Sequence, residues 1–125
     1  MFPLHVSASH WTLLAVFPKL RLSTGEMPAV YVDSLNGSIA TDDVSDAIQF
    51  IIFVQLHLFH REIGVRTHIK KVKTEHRQSG GVTCGLHVLS YARAFAARTD
   101  IGVPPAQIEN FRLQVANEII AGELM

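Results

Sequence analysis

The stretch Gln78-Ser79-Gly80-Gly81-Val82-Thr83-Cys84-Gly85 decides how this chain is read. Small and flexible residues after Gln78 predict a turn. Val82 or Thr83 then opens a helix running to about Arg98, with Leu86, Leu89, Ala92, Phe95 and Ala96 at helical spacing as its expected apolar stripe. Cys84 is the one cysteine in 125 residues, and it falls at the start of that helix. There, N–H groups without intrahelical partners and the helix dipole favour a thiolate. A nucleophilic thiol needs such a place. A lone cysteine on an apolar helix is also commonly a small buried hydrophobe, and position alone leaves both readings open.

Upstream, three short apolar runs read as strands: Phe2 to Val6, Trp11 to Phe17 and Ala29 to Val32. The last two form a hairpin joined through Pro18 to Pro28, and Asp33-Ser-Leu-Asn-Gly37 closes the third. Acidic residues in Thr41-Asp42-Asp43 mark a helix start, and the apolar pattern continues to about Glu62, stopping at Gly64. Val65 to Val72 alternates as a half-buried strand with a basic outer face. After the Cys84 helix, Pro104-Pro105 begins a last helix with Ile108, Phe111, Val115, Ile119 and Ile120 as its apolar stripe. The fold class expected is α+β, a small mixed or antiparallel sheet packed against helices in one domain, residues 1–125.

If Trp11 to Phe17 and Ala29 to Val32 are antiparallel neighbours, His10 at the entrance of one and Asp33 at the exit of the other share a sheet edge. A carboxylate orienting an imidazole beside a thiol is the arrangement that activates a cysteine nucleophile. The competing reading makes His10 an exposed loop residue and Asp33 an ordinary turn residue.

Composition narrows the function. Eleven Lys+Arg balance eleven Asp+Glu, giving a formal charge of zero, so no basic field exists for nucleic acid or an anionic membrane. Neither is expected as a partner. Hydrophobic residues are 48% of the chain, too many for disorder. One cysteine excludes an internal disulfide framework and four-thiolate zinc, and points to a reducing compartment, nuclear or cytoplasmic. Met1-Phe-Pro-Leu-His lacks a positive n-region, so no signal peptide is read. Ala47 to Phe59, interrupted by Gln49, Gln55 and His57, is shorter than the roughly 18 apolar residues a membrane span needs and is expected to be a buried helix. His57 and His60 share a helix face but lack a third ligand, so no metal and no cofactor are expected. Lys70-Lys71-x-Lys73 reads as a solvated face protecting an edge strand, with an acidic partner surface as the lesser alternative.

Three blocks resemble one known family. Pro3-Leu-His-Val-Ser-Ala-Ser-His10-Trp11-Thr-Leu, Tyr31-Val-Asp33-Ser-Leu-Asn-Gly37 and Gln78 with Cys84-Gly85 six residues on are similar to the signatures of the ubiquitin-like-protein proteases. These are the deSUMOylating cysteine proteases, distantly related to the adenovirus protease, with a papain-like fold. The resemblance implies Cys84 as nucleophile, His10 as general base and then acid, Asp33 as its orienting partner, and Gln78 as a side-chain donor to the oxyanion. It implies that Trp11 covers the channel for a modifier's C-terminal Gly-Gly, where the alternative is a core tryptophan. Gly85 would allow close backbone approach, where the alternative is a small packing residue. Thr83 stands where the family usually has Asp, and Gly80 where Asn is common. The family's N-terminal helical portion has no counterpart here, so the expectation is an N-terminally truncated catalytic domain, poorly active alone. The expected partner is a ubiquitin-like modifier or its conjugates. The rival expectations are a catalytically silent modifier-binding module, or a small structural domain whose match is accidental.

Overall fold

Four strands, β1 (Phe2–Val6), β2 (His10–Val16), β3 (Met27–Val32) and β4 (Thr67–Val72), form one sheet in the order β1-β2-β3-β4. The helices are α1 (Thr41–Phe59), α2 (Cys84–Ala97) and α3 (Ile108–Ala121), the last entered through a 3-10 turn at Pro105–Gln107. The computed structural model describes residues 1–7, 9–60, 66–74, 77–78, 83–99 and 103–122.

β1, β2 and β3 pair antiparallel, as the hairpin reading requires, whereas β4 runs parallel to β3. The sheet is therefore mixed, and α1 is the crossover of a β3-α1-β4 unit. Pro28 lies inside central β3 without breaking it. The β2 ladder ends at Val16 opposite Ala29. Met27 N–H bonds Arg66 O at 3.0 Å on the β4 side, and strand alternation then turns the Pro28 nitrogen towards β2, beyond its last pair.

Strand alternation divides the core in two. Leu14, Met27, Ala29 and Tyr31 face Val44 and Ile48 of α1. Leu13 and Val32 face Val88 and Tyr91 of α2 on the other side. A fully buried Leu, Val, Ile or Met among them contributes about 1.5–3 kcal/mol. α3 packs behind α2, giving the layers α1, sheet, α2 and α3.

Several sequence expectations need correction. α1 ends at Phe59, with His60 in the left-handed region (φ 52°), before the expected stop. Gly64 and Val65 lie outside the described residues, as do Ser79 to Val82. No side chain caps α1, whose N-cap is Ala40; Asp42 and Asp43 act only through their charge in the first turn. The helix is half-buried rather than buried: Phe50, Phe53, Leu56, Leu58 and Phe59 are exposed because only one side meets the sheet. On α2, Val88 and Tyr91 pack against the sheet, and Cys84, His87, Ser90 and Ala94 are also buried. Of the expected core stripe, Ala92 and Phe95 pack partly buried against the cluster of Leu13, Val32, Val88 and Tyr91, whereas Leu89 and Ala96 are exposed and line an open apolar groove with Phe111 and Val115 of α3. On α3 only Ile108 and Phe111 are buried; Ile119 and Ile120 are exposed because, among the described residues, no layer lies beyond the helix.

Candidate active site

The β2–β3 register creates the site. Leu13 pairs with Val32, so Asp33, the next position after β3, comes to the same sheet edge as His10 at the start of β2. His10 Nε2 and Asp33 Oδ1 are 2.6 Å apart, with the two side chains 16% and 6% exposed. A carboxylate only accepts, so Nε2 carries the proton in the neutral imidazole and Nδ1 keeps its lone pair. The exposed-loop reading of His10 is thereby excluded.

Asp33 is itself fixed. Its Oδ1 also accepts the Leu35 N–H at 2.8 Å, and its Oδ2 accepts the Gly37 N–H at 3.1 Å. The turn is closed by Asn36 N–H to Asp33 O at 2.9 Å. Asn36 takes the left-handed conformation (φ 52°), which asparagine tolerates better than most residues. Its side chain then bonds Thr74 twice, Nδ2 to Thr74 O at 3.2 Å and Thr74 N–H to Oδ1 at 3.0 Å, tying the turn to the end of β4. Gly37 is required by space: a Cβ there would stand 2.7 Å from Asp33 Oδ2.

Gln78 is buried rather than solvated. Its backbone N–H donates to Ser34 O at 2.9 Å, and the Ser34 hydroxyl donates to its Oε1. Asp33 and Ser34 thus engage the imidazole and the amide from adjacent positions. Cys84 is a free, buried thiol and the first residue of α2. Thr83, the N-cap, makes no side-chain cap bond, so the first N–H groups of α2 remain uncapped by it. Trp11 is 40% exposed and stacked on His5 at 4.7 Å between ring centroids, which rules out a core tryptophan. A Cβ on Gly85 would meet no described atom within 4 Å, so tight packing does not explain this glycine.

Sequence reasoning missed four contributors. Ser34 and Gly37 lie inside the block from Tyr31 to Gly37, yet their roles depend on a partner distant in sequence or on space. Tyr91, two turns from Cys84, is pushed up to about 12 by burial, with a Thr74 hydrogen bond opposing and the Asp33 charge adding. His87, one turn from Cys84, is fully buried, and burial pushes it below its ordinary value. Among the described residues neither of its ring nitrogens has a hydrogen-bond partner. No group of three metal-ligating side chains occurs among the described residues. His57 is exposed and lies against Phe53.

Residues 1–124 match the Ulp1 protease family, C-terminal catalytic domain. No curated protein matches the chain in sequence. Among solved structures, the chain is similar to the C-terminal Ulp1 protease domain crystallised in complex with Smt3, the yeast ortholog of SUMO. The TM-score is 0.67 at 19% identity, over 98% of this chain and 52% of the other. The chain thus spans about half the length of that protease domain, and at this identity the likeness establishes the shared fold.

Proposed function

The chain belongs to the Ulp1 protease family, and we propose that it is a cysteine peptidase or isopeptidase cutting after the C-terminal Gly-Gly of a SUMO-like modifier. The observation that carries this reading is the 2.6 Å contact between His10 and the buried, multiply bonded Asp33. A carboxylate so tethered fixes both the tautomer and the angle of the imidazole.

In the proposed reaction, Nδ1 of His10 takes the Cys84 proton as sulfur attacks the carbonyl of the terminal glycine. The carbonyl π electrons move to oxygen, where the Gln78 amide N–H and the Cys84 backbone N–H stabilise the developing charge. Collapse of the tetrahedral intermediate expels the lysine or peptide amine, which receives the proton from His10. A thioester remains on Cys84. Water, deprotonated by His10, then releases the modifier with a free carboxylate and restores the thiol. Trp11, exposed beside His10, offers a flat indole to the side-chain-free Gly-Gly backbone.

The test is covalent labelling by SUMO ending in a glycine vinyl sulfone. Labelling is expected with the wild-type chain, is abolished in Cys84→Ala, and falls about 10²-fold or more in His10→Ala. Binding of unmodified SUMO without labelling would replace this reading with a silent binding module. Neither binding nor labelling would leave only the fold.

A further inference from the structure

An oxyanion donor made from a glutamine raises a problem that a backbone N–H does not. The amide has two ends of nearly equal size, and only the NH2 end stabilises negative charge. Presented the other way round, its oxygen would repel the intermediate. Gln78 stands in irregular backbone after β4, so no regular element fixes its side chain.

We propose that Ser34 is the positioning residue that sets the Gln78 amide with its NH2 end towards the reacting carbonyl. The inference rests on the protease reading of the site. Two bonds join the residues, Gln78 N–H to Ser34 O at 2.9 Å and the Ser34 hydroxyl to Gln78 Oε1. The first holds the two backbones at a fixed separation. The second engages the acceptor end of the amide and thereby directs the donor end away from Ser34. Ser34 is 1% exposed and Gln78 7%, so bulk water does not compete for either group. Ser34 also follows Asp33 directly, so the turn that orients His10 orients the oxyanion donor as well. A shift in this turn moves the base and the donor together. The Asp33-Ser34 pair is then one device with two outputs.

The experiment compares two chemistries at Cys84. Iodoacetamide alkylation proceeds by displacement at a methylene carbon and uses no oxyanion donor, whereas acylation by SUMO-aminomethylcoumarin does. Ser34→Ala is expected to slow single-turnover acylation roughly tenfold, between the effect of one hydrogen bond and that of deleting an oxyanion donor. The alkylation rate should stay within about twofold of wild type. In a Gln78→Ala background, Ser34→Ala should cost nothing further. The Gln78 side-chain NH2 resonances, resolved and slowly exchanging in the wild-type chain, should collapse towards solvent-like exchange in Ser34→Ala. Equal losses in both chemistries would make Ser34 a merely structural residue and overturn the proposal. So would a Ser34→Ala effect that persists without the Gln78 amide, or unchanged NH2 resonances. A wild-type chain that neither acylates nor alkylates faster than its denatured form would refute the protease reading itself. The resonances would still report whether Ser34 holds the amide.

Discussion

Gly37→Ala tests the site at its tightest point. The glycine has no left-handed conformation to protect, because its φ lies outside the left-handed region, so alanine can adopt its backbone. The added Cβ, however, would lie 2.7 Å from Asp33 Oδ2, where ordinary contact begins at about 3.4 Å. The carboxylate must therefore retreat by about 0.7 Å or the turn must open. Rotation of the carboxylate strains the 3.1 Å bond from Gly37 N–H and the 2.6 Å bond to His10 together. Loss of a hydrogen bond to a charged group costs about 1.5–3 kcal/mol, whereas replacing glycine lowers unfolded-state entropy and returns about 0.4–1 kcal/mol. Net destabilisation of about 1–2 kcal/mol should appear as a lower urea midpoint. The effect on chemistry should be larger in proportion, since a misplacement near 1 Å can cost about 10²-fold. Vinyl-sulfone labelling of Cys84 is expected to fall about 10- to 100-fold, and the His10 ring nitrogen resonances should shift. Labelling within twofold of wild type, with unchanged His10 resonances, would refute the argument that Asp33 is held by the space Gly37 vacates.

Asn36→Ala removes both side-chain bonds to Thr74 and the tolerance for φ 52°, and should cost about 1–3 kcal/mol in urea; Asn36→Gly, which keeps the backbone freedom, should recover part of it. His87 is fully buried with its imidazole pushed below the ordinary value, so between that lowered value and about 6.5 the unfolded chain binds the proton and the folded chain does not. Stability should fall as pH drops below about 6.5, by up to about 1.4 kcal/mol per pH unit, and His87→Phe should flatten that slope in urea melts run from pH 7 to pH 5. Glu118→Gln loses the bidentate pair with Arg93 between α2 and α3, whose side chains are 20% and 29% exposed. The cost should be about 1 kcal/mol or less and should shrink in high salt.

Those residues also show how far the sequence could be read. His10 and Asp33 were legible because antiparallel pairing is a local rule: a hairpin places the start of one strand beside the end of the other, so the two residues meet at one sheet edge. Helix α2 was legible in extent but not in orientation. A helix lying between a sheet and another helix has two apolar faces, and the spacing that includes Ala92 and Phe95, which do reach the core, also takes in Leu89 and Ala96, which do not. Only the choice of neighbour separates them. α1 failed for a related reason, since an apolar composition all round announces burial in excess of what one sheet face can provide. The parallel β4 is non-local, its strand order set by where the α1 crossover returns.

What sequence could not show is how the Asp33–Gly37 turn is held, because each restraint comes from a different distance along the chain. Gly37 acts through space four residues away, Thr74 through side-chain bonds to Asn36 thirty-eight residues away, and Gln78 through Ser34 forty-four residues away. No single motif contains these contacts, yet all converge on residues 33–37. The turn has no ladder of its own to fix it, so its order is lent by β4 and by the segment entering α2. That dependence has a physical consequence: the geometry at His10 is only as rigid as the bonds between Asn36 and Thr74. A substitution that loosens them should broaden the distribution of His10 orientations before it unfolds the sheet, because Leu13, Leu14, Tyr31 and Val32 pack on both faces without the turn.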